Sequence, residues 1–401
     1  MKEQSMTVTR GLQRRIKQHI AARDHSFFAI VQPGFEAAAA RELAELGIGP
    51  MNETVEGGLE FTGKLEACYR VNLCSRTITR LLMRIATFRA EYFDRFHDRL
   101  REIPWELYLR DRAPISFHIT AHKSRLYHTG RLAEEAKKAI TSRFSEYGMT
   151  PSWETVNDEA WQTVHLRLDH DRCQVSLDTS GDELYKRGQK HHVTGAPLRE
   201  TLAALILTEA RVKEYNLVMD PLCGSGTFSL EAAGILSGQL PAPRRHFPFM
   251  DWPAFRPAAY NHLKKSLQAK QVVNPEAPFI FASDINDRAM EAARKNISGA
   301  GLDGIISLEK RDFFREIHTI PAEKKCLIVL NPPYGERLRN DDVRDFYHRL
   351  GKTLREDYGR CGVAVIVPGL EQEKALSLHQ DRKILFMNGG IRVALLIRDG
   401  L

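Results

Sequence analysis

Four consecutive residues, Asn331-Pro332-Pro333-Tyr334, join an amide, two ring-locked backbone units and an aromatic face at the end of the apolar run Leu327-Ile328-Val329-Leu330. These groups suit one task, the gripping of a planar amine. The Asn331 side-chain oxygen and a proline-flanked carbonyl can each accept a hydrogen of an exocyclic NH2, and Tyr334 offers a ring on which a base can stack. The plainer alternative is that the prolines only stop a strand and Tyr334 packs as an aromatic lid.

The elements around the tetrapeptide follow from its flanks. Four apolar residues bounded by charge read as a parallel strand covered on both faces, and neither proline can donate to a ladder. Past the carboxyl end of such a strand lies the usual ligand position of an open parallel sheet. A second apolar strand, Leu217-Val218-Met219, runs into Asp220-Pro221-Leu222-Cys223-Gly224-Ser225-Gly226-Thr227 and then a helical pattern from Phe228. Glycines at 224 and 226 permit close backbone approach to a ligand, and the helix start offers free N–H groups. Ser229 stands where a dinucleotide fingerprint has its third glycine, and no Gly-Lys-Ser/Thr follows, so neither that fingerprint nor a phosphate loop is present. Alone, the glycine pair is equally consistent with a tight turn.

A third strand, Phe279-Ile280-Phe281-Ala282, ends in Ser283-Asp284-Ile285-Asn286 before a helix expected over Asp287 to Ser298. An acid there can accept both hydroxyls of a ribose. Its alternative is a helix cap, for which Asn286 and Asp287 are better placed. Asp312, in Lys310-Arg311-Asp312-Phe313-Phe314 after the strand-like Ile305-Ile306-Ser307-Leu308-Glu309, can receive an adenine amine with Phe313 against the ring.

Taken together, Asp220 to Thr227, Asp284, Asp312 and Asn331 to Tyr334 resemble the class I S-adenosylmethionine-dependent methyltransferases that modify exocyclic amines of nucleobases. The resemblance implies a Rossmann-like α/β sheet, mostly parallel with an antiparallel edge hairpin, and S-adenosylmethionine as cofactor. It implies that Asp220, Pro221, Cys223, Gly224, Ser225, Gly226 and Thr227 hold the methionine end, Asp284 the ribose, and Asp312 and Phe313 the adenine, with Ile285 among the cofactor contacts. Asn331, Pro332, Pro333 and Tyr334 form the catalytic loop, with Asn331 also bordering the cofactor.

The whole chain sets broader bounds. With 401 residues, 43% hydrophobic and 27% charged, it is long enough for two or three domains. No apolar run approaches the roughly 20 residues that span a bilayer, and no leader-like apolar segment opens the chain, which leads to the expectation of a cytoplasmic protein. Six cysteines without a Cys-x-x-Cys pair suggest neither a disulfide frame nor a zinc site, and no metal is expected; His191 and His192 read as linker residues. A formal charge of +7 favours a polyanionic partner.

Residues 1–26 form a basic extension, read as a solvated tail with a short amphipathic helix as the alternative. From Phe27 a strand, a Gln-Pro-Gly turn, a helix over Phe35 to Leu46, and the returning strand Gly57 to Phe61 indicate a small α+β unit. Arginines 76, 80, 84, 89, 95, 99 and 101 interleave with Phe88, Tyr92, Phe93, Phe96 and Trp105, a mixture that suits RNA or, more plainly, a core with a solvated rim. The loop His122-Lys123-Ser124-Arg125 after the strand Ile115 to Thr120 is the preferred phosphate contact, because it gathers cationic donors and hydroxyls. Val164 to Leu168 and Cys173 to Leu177 alternate as a hairpin with one buried face.

This half resembles the N-terminal part of THUMP-containing RNA methyltransferases through Pro33-Gly34-Phe35-Glu36, Gly57-Gly58-Leu59-Glu60-Phe61, Ala67-Cys68-Tyr69-Arg70-Val71-Asn72-Leu73, and Asp178-Thr179-Ser180-Gly181 with Leu184-Tyr185-Lys186-Arg187-Gly188. The resemblance implies a ferredoxin-like unit over 27–66, a THUMP RNA-binding domain over 67–186 to which Lys186 and Arg187 contribute contacts, and the methyltransferase domain over 187–401. It is nearest to bacterial enzymes that methylate guanine N2 of 23S ribosomal RNA, so RNA, as 23S rRNA or a large-subunit precursor, is the expected partner. Such enzymes often carry a second, fused methyltransferase domain, and here a single one is expected. The long proline- and aromatic-rich insertion between Ser237 and Pro278 is a candidate wall of the substrate pocket. Two rivals stay open: an adenine-N6 methyltransferase acting on RNA or DNA, and a non-catalytic RNA-binding or ribosome-assembly factor that keeps the fold.

Overall fold

Two seven-stranded sheets carry the chain in the computed structural model, which describes residues 10–154, 162–188, 190, 192, 198–269, 279–333 and 340–400. In chain order the elements are α1 (Arg10–Ile16), β1 (His25–Ile30), α2 (Glu36–Glu45), β2 (Met51–Val55), β3 (Gly58–Gly63), α3 (Leu65–Cys74), β4 (Arg80–Arg89), α4 (Phe93–Glu102), α5 (Trp105–Tyr108), β5 (Ile115–His122), α6 (Thr129–Ser145), β6 (Gln162–Asp169) and β7 (Arg172–Asp178). There follow α7 (Glu200–Glu209), β8 (Leu217–Asp220), α8 (Thr227–Leu236), α9 (Pro257–Gln268), β9 (Ile280–Asp284), α10 (Asp287–Gly299), β10 (Ile306–Lys310), β11 (Cys326–Leu330), α11 (Asn340–Glu356), β12 (Gly362–Val367), α12 (Leu370–Leu376), β13 (Arg382–Asn388) and β14 (Ile391–Arg398). The chain forms two compact units, Met1–Ile30 with Leu43–Leu184 and Arg244–Lys265, and Val31–Glu42 with Tyr185–Pro243 and Ser266–Leu401.

The first unit is built on the order β2-β3-β1-β4-β7-β6-β5, in which β5 and β6 run parallel and the other neighbours antiparallel. Alternation decides its two faces. Phe27, Ala29, Leu59, Phe61, Leu81 and Met83 are buried on one side, whereas His118, Thr120, His122 and Arg167 are exposed on the other. The expected boundary at residue 66 does not interrupt this sheet, because β1 pairs with β4 over Ser26–Ile30.

Two expectations change here. The N-terminal segment is not a solvated tail from residue 10 onward: α1 and the wider π turn Lys17–Ala21 bury Ile16, Ile20 and Ala21, and Arg15 Nη2 meets the enclosed Glu106 carboxylate at 2.8 Å. Arg143 holds the same carboxylate at 2.9 Å, and the two guanidinium groups outweigh its burial, keeping the acid below its ordinary range. The insertion, expected as one stretch beside the substrate, is anchored in the first unit over 244–265, where Phe249 stacks on Tyr69 of α3 at 5.0 Å and Trp252 Nε1 donates to Gln162 Oε1 at 2.8 Å. Those aromatics dock the segment within the first unit, where His246 and Asp251 line a cavity of about 330 Å³; 270–278 lie outside the described residues.

In the second unit the order is β10-β9-β8-β11-β12-β14-β13, parallel from β10 to β12, with β14 antiparallel to β12 and β13. The most continuously apolar strands take the middle. Every residue of β8, β11 and β12 is buried, while the edge strand β13 is mostly open to solvent. Segment 31–42 closes against that edge: Phe35 meets Phe386 edge-to-face at 5.2 Å, and Gln32 Nε2 donates to the Met387 carbonyl at 3.2 Å. Among the described residues, no helix is long and apolar enough to cross a membrane.

Candidate active site at the carboxyl ends of the parallel strands

Because β10, β9, β8 and β11 are parallel neighbours, their carboxyl ends form one row carrying Asp312, Asp284, Asp220 and Asn331. Positions more than a hundred residues apart thus become adjacent. The topology, more than any single motif, assembles the site.

Asn331 comes directly after β11, whose five buried residues fix the strand end. Its Oδ1 is buried and has no hydrogen-bond partner among the described residues. A buried amide oxygen left unmatched carries a desolvation penalty of about 1–3 kcal/mol, so its retention marks an acceptor kept for a donor supplied from outside. Pro332 is buried and Pro333 half-buried; Tyr334 lies outside the described residues.

The glycine loop after β8 is held from below. Asp220 is 1% exposed, and its Oδ2 accepts the Ser229 N–H at 3.2 Å and the Ser229 hydroxyl at 2.7 Å. Burial pushes its carboxyl up to about 7, against the opposing pull of the Ser229 hydrogen bonds. Asp220 therefore ties the loop to α8 from inside the fold. Cys223 N–H donates to the Ser283 carbonyl at 2.9 Å, and burial pushes its thiol well above the ordinary range, so it packs as an inert side chain. Gly224 and Gly226 have φ of +55° and +85°, the left-handed region in which glycine carries no Cβ penalty, and a Cβ built on Gly224 meets nothing within 4 Å. Open space thus borders the loop. Ser225 and Thr227 are buried, and the Thr227 hydroxyl accepts from Lys190 Nζ at 3.0 Å.

Asp284 faces the same loop. Its Oδ2 accepts the Gly224 N–H at 3.0 Å and its Oδ1 the Asn286 N–H at 2.9 Å, while Asn286 itself caps α10. Each carboxylate oxygen retains acceptor capacity for a diol. Next to it Ile285 is 62% exposed, an apolar side chain left open beside a polar one. Pro221 lines a neighbouring cavity of about 20 Å³ together with Ser283, Arg311 and His318.

Asp312 is half-buried, with Oδ1 accepting the Phe314 N–H at 3.0 Å. Phe313, expected against the adenine, is largely enclosed. It is 4% exposed, stacks on Tyr358 at 5.4 Å and 12°, and lines a cavity of about 20 Å³. Arg187, expected at RNA, is likewise inside: its Nε lies 3.0 Å from Glu231 Oε1, both side chains 2% exposed. Lys186 is exposed beside a cavity of about 440 Å³ that Tyr185, Lys190 and Arg199 also line. In the first unit, His122, Lys123 and Arg125 are exposed; Arg125 pairs with Glu91 at 2.8 Å, and the Ser124 hydroxyl donates to the His122 carbonyl and accepts the Asp171 N–H.

Two supporting residues escaped sequence reasoning. Asn296, 1% exposed on α10, donates to the carbonyls of Ser225 at 3.0 Å and His192 at 2.7 Å, bracing the glycine loop from behind. Lys190 bridges Thr227, the Leu198 carbonyl and Glu200. The available signal for Asn296 was an amide on the apolar face of α10.

Known proteins match this arrangement. Residues 187–397 match the family model described as RMKL-like, methyltransferase domain, and residues 26–82 match the RlmL ferredoxin-like domain. The chain is 32% identical over 383 residues to the ribosomal RNA large subunit methyltransferase K/L of Syntrophotalea carbinolica, covering 93% of this chain and 53% of that protein, so it spans about half that relative's length. A Synechocystis protein provisionally named an RNA methyltransferase is 32% identical, with 94% of this chain and 97% of that protein covered. A solved structure described as a methyltransferase complexed with S-adenosylhomocysteine superposes with a TM-score of 0.84 at 26% identity, covering 94% of this chain and 99% of that one. With the strand order, the glycine loop and the Asn-Pro-Pro turn in one row, and a family model covering more than half of the residues, this chain belongs to the RMKL-like methyltransferase family.

Proposed function

We propose that this protein transfers a methyl group from S-adenosylmethionine to an exocyclic base amine of RNA, guanine N2 of 23S ribosomal RNA or its precursor, in the cytoplasm. The unmatched, buried Asn331 Oδ1 at the end of β11 is the observation that carries the reading. The donor fits the residues present: Gly224 leaves room for close approach, Asp284 has acceptor capacity for a ribose, and Ile285 is open for contact with an adenine. When bound, S-adenosylmethionine supplies an electrophilic methyl on a sulfonium.

Asn331 Oδ1 and the Pro332 carbonyl accept the two hydrogens of the target amine, which draws its lone pair out of conjugation with the ring and aims it along the line of displacement. A nitrogen–carbon bond forms as the sulfur–carbon bond breaks, and the extra proton leaves to water afterwards, so no strong base is required. Tyr334 is assigned to stack on the base. A base reaches this turn only after leaving its helix, which favours loops or opened RNA. Residues 67–186 are assigned as the THUMP RNA-binding domain, with Lys123, Arg125 and Lys186 among its phosphate contacts.

The test is transfer from labelled S-adenosylmethionine to total RNA and, separately, to genomic DNA, both from cells lacking this gene, followed by nucleoside analysis. Label in N2-methylguanosine of the large rRNA is the expected result. Label in N6-methyladenine would overturn the substrate while keeping the chemistry, and no label in either nucleic acid or in a pre-ribosomal particle would overturn the activity.

A further inference from the structure

Three metal-ligating side chains, none of them used above for methyl transfer, meet at the end of the first unit's sheet. His122 ends β5, Asp169 ends β6 directly opposite it in the parallel register, and His170 begins the turn into β7. His122 Nδ1 lies 3.3 Å and His170 Nδ1 2.8 Å from Asp169 Oδ1, and ligand atoms of the three all lie within 4.8 Å of one another.

We propose that His122, Asp169 and His170 form a binding site for a divalent transition metal of the zinc type. Two imidazoles and one carboxylate are a sufficient protein donor set when the remaining positions stay open to water. Zinc–nitrogen and zinc–oxygen bonds of about 2.0–2.2 Å in tetrahedral array place two ligand atoms roughly 3.3–3.5 Å apart, so the His122–Asp169 pair at 3.3 Å fits, and the 2.8 Å His170–Asp169 hydrogen bond opens by about half an ångström as the ion takes the place of its proton. The third pair, within 4.8 Å, belongs to two exposed rings whose terminal torsions are broad wells, so metal binding would require them to turn. Asp169 Oδ2 faces Arg167 Nη2 at 3.4 Å, which leaves Oδ1 for the ion.

The backbone holding these groups is fixed in advance. His170, Asp171 and Lys123 take φ of +50°, +61° and +44°, left-handed conformations that persist only where the surroundings impose them. Here the surroundings are a set of cross-ties: His170 N–H to the His122 carbonyl at 3.2 Å, Asp171 N–H to Ser124 Oγ at 3.0 Å, and Arg125 N–H to Asp171 Oδ1 at 2.7 Å. In this conformation the His170 ring lies 6.0 Å from that of His122, centroid to centroid. No sequence spacing announces the site, since His122 stands 47 residues before Asp169.

The experiment uses the full chain, stripped with a chelator and titrated with Co²⁺, then with Zn²⁺ in competition. The expected result is one equivalent bound with a d–d spectrum of nitrogen and oxygen ligation, weakened at least about tenfold by each of His122→Ala, Asp169→Asn and His170→Ala. Hydrogen exchange of 121–126 and 167–172 is expected to slow on metal addition, a readout that does not depend on activity. Failure of all three variants to change the affinity, a thiolate charge-transfer band, or no binding at millimolar Co²⁺ would overturn the site.

Discussion

Asp284 Oδ2 accepts the backbone N–H of Gly224 at 3.0 Å, so the acid ending β9 and the glycine loop after β8 form one cradle. Removing the carboxylate releases the loop and, in the proposed cofactor site, would also take away charge-assisted hydrogen bonds to a ribose. Asp284→Ala is expected to raise the dissociation constant for S-adenosylmethionine by about tenfold to a hundredfold, from about 1.5–3 kcal/mol for such bonds. Calorimetric titration measures it, and an unchanged constant would remove Asp284 from the cofactor site.

Asn331→Ala should separate activity from stability. Turnover is expected to fall by about 10²–10³, as when a preorganised hydrogen-bonding group is lost from a reaction centre, while cofactor affinity stays within about threefold. Its Oδ1 satisfies nothing in the described fold, so the thermal midpoint should hold or rise. Single-turnover kinetics with a melting curve test both halves. A fully active variant would sink the catalytic assignment.

Asp220 gives a pH dependence with a definite sign. Its folded carboxyl titrates at about 7, against 3.8 for the free group. Below about pH 4 both states are protonated and the group has no effect. Between 4 and 7 the unfolded chain ionises first, so folding stability falls as pH rises, and above 7 the loss is constant. Asp220→Asn is expected to remove this slope, with its advantage in urea unfolding growing to at most about 4 kcal/mol by pH 7. Parallel pH profiles for the two proteins would refute the shift.

Arg187→Ala is a test of fold, not of RNA contact. It leaves Glu231 buried without its guanidinium partner, for which about 3–5 kcal/mol of lost stability is expected. Lys186→Ala, one residue away and exposed, should lower the melting temperature far less than Arg187→Ala and weaken RNA binding in a salt-dependent way. Melting curves and RNA titrations at two salt concentrations distinguish the pair.

The row of strand ends was legible because each strand is a continuous apolar run stopped by distinct turn chemistry: Gly-x-Gly after Asp220, an N-capping Asn286 after Asp284, a proline pair after Asn331. Local rules carry that far. Arg187 and Phe313 read as ligand contacts because a basic and an aromatic residue beside site motifs have the right chemistry, yet each is enclosed by a distant partner, Glu231 and Tyr358. The docking of 244–265 depends on Tyr69 and Gln162, far away in sequence and outside any periodicity. Helix α1 was legible only as an alternative, since a basic stretch with few apolar residues reveals its buried Ile16 and Ile20 only once a surface exists for them.

The two units exchange segments along the chain: 31–42 goes to the second, 244–265 to the first. A fragment starting at 185 would lack Phe35 against Phe386 and would carry Phe249 and Trp252 without Tyr69 and Gln162. Six alternating segments mean five breakpoints where a simple tandem needs one. Such a gene resists shuffling: recombination at a single point keeps at most one unit whole and always splits the other or mixes its origins, so no single exchange swaps one complete unit for another.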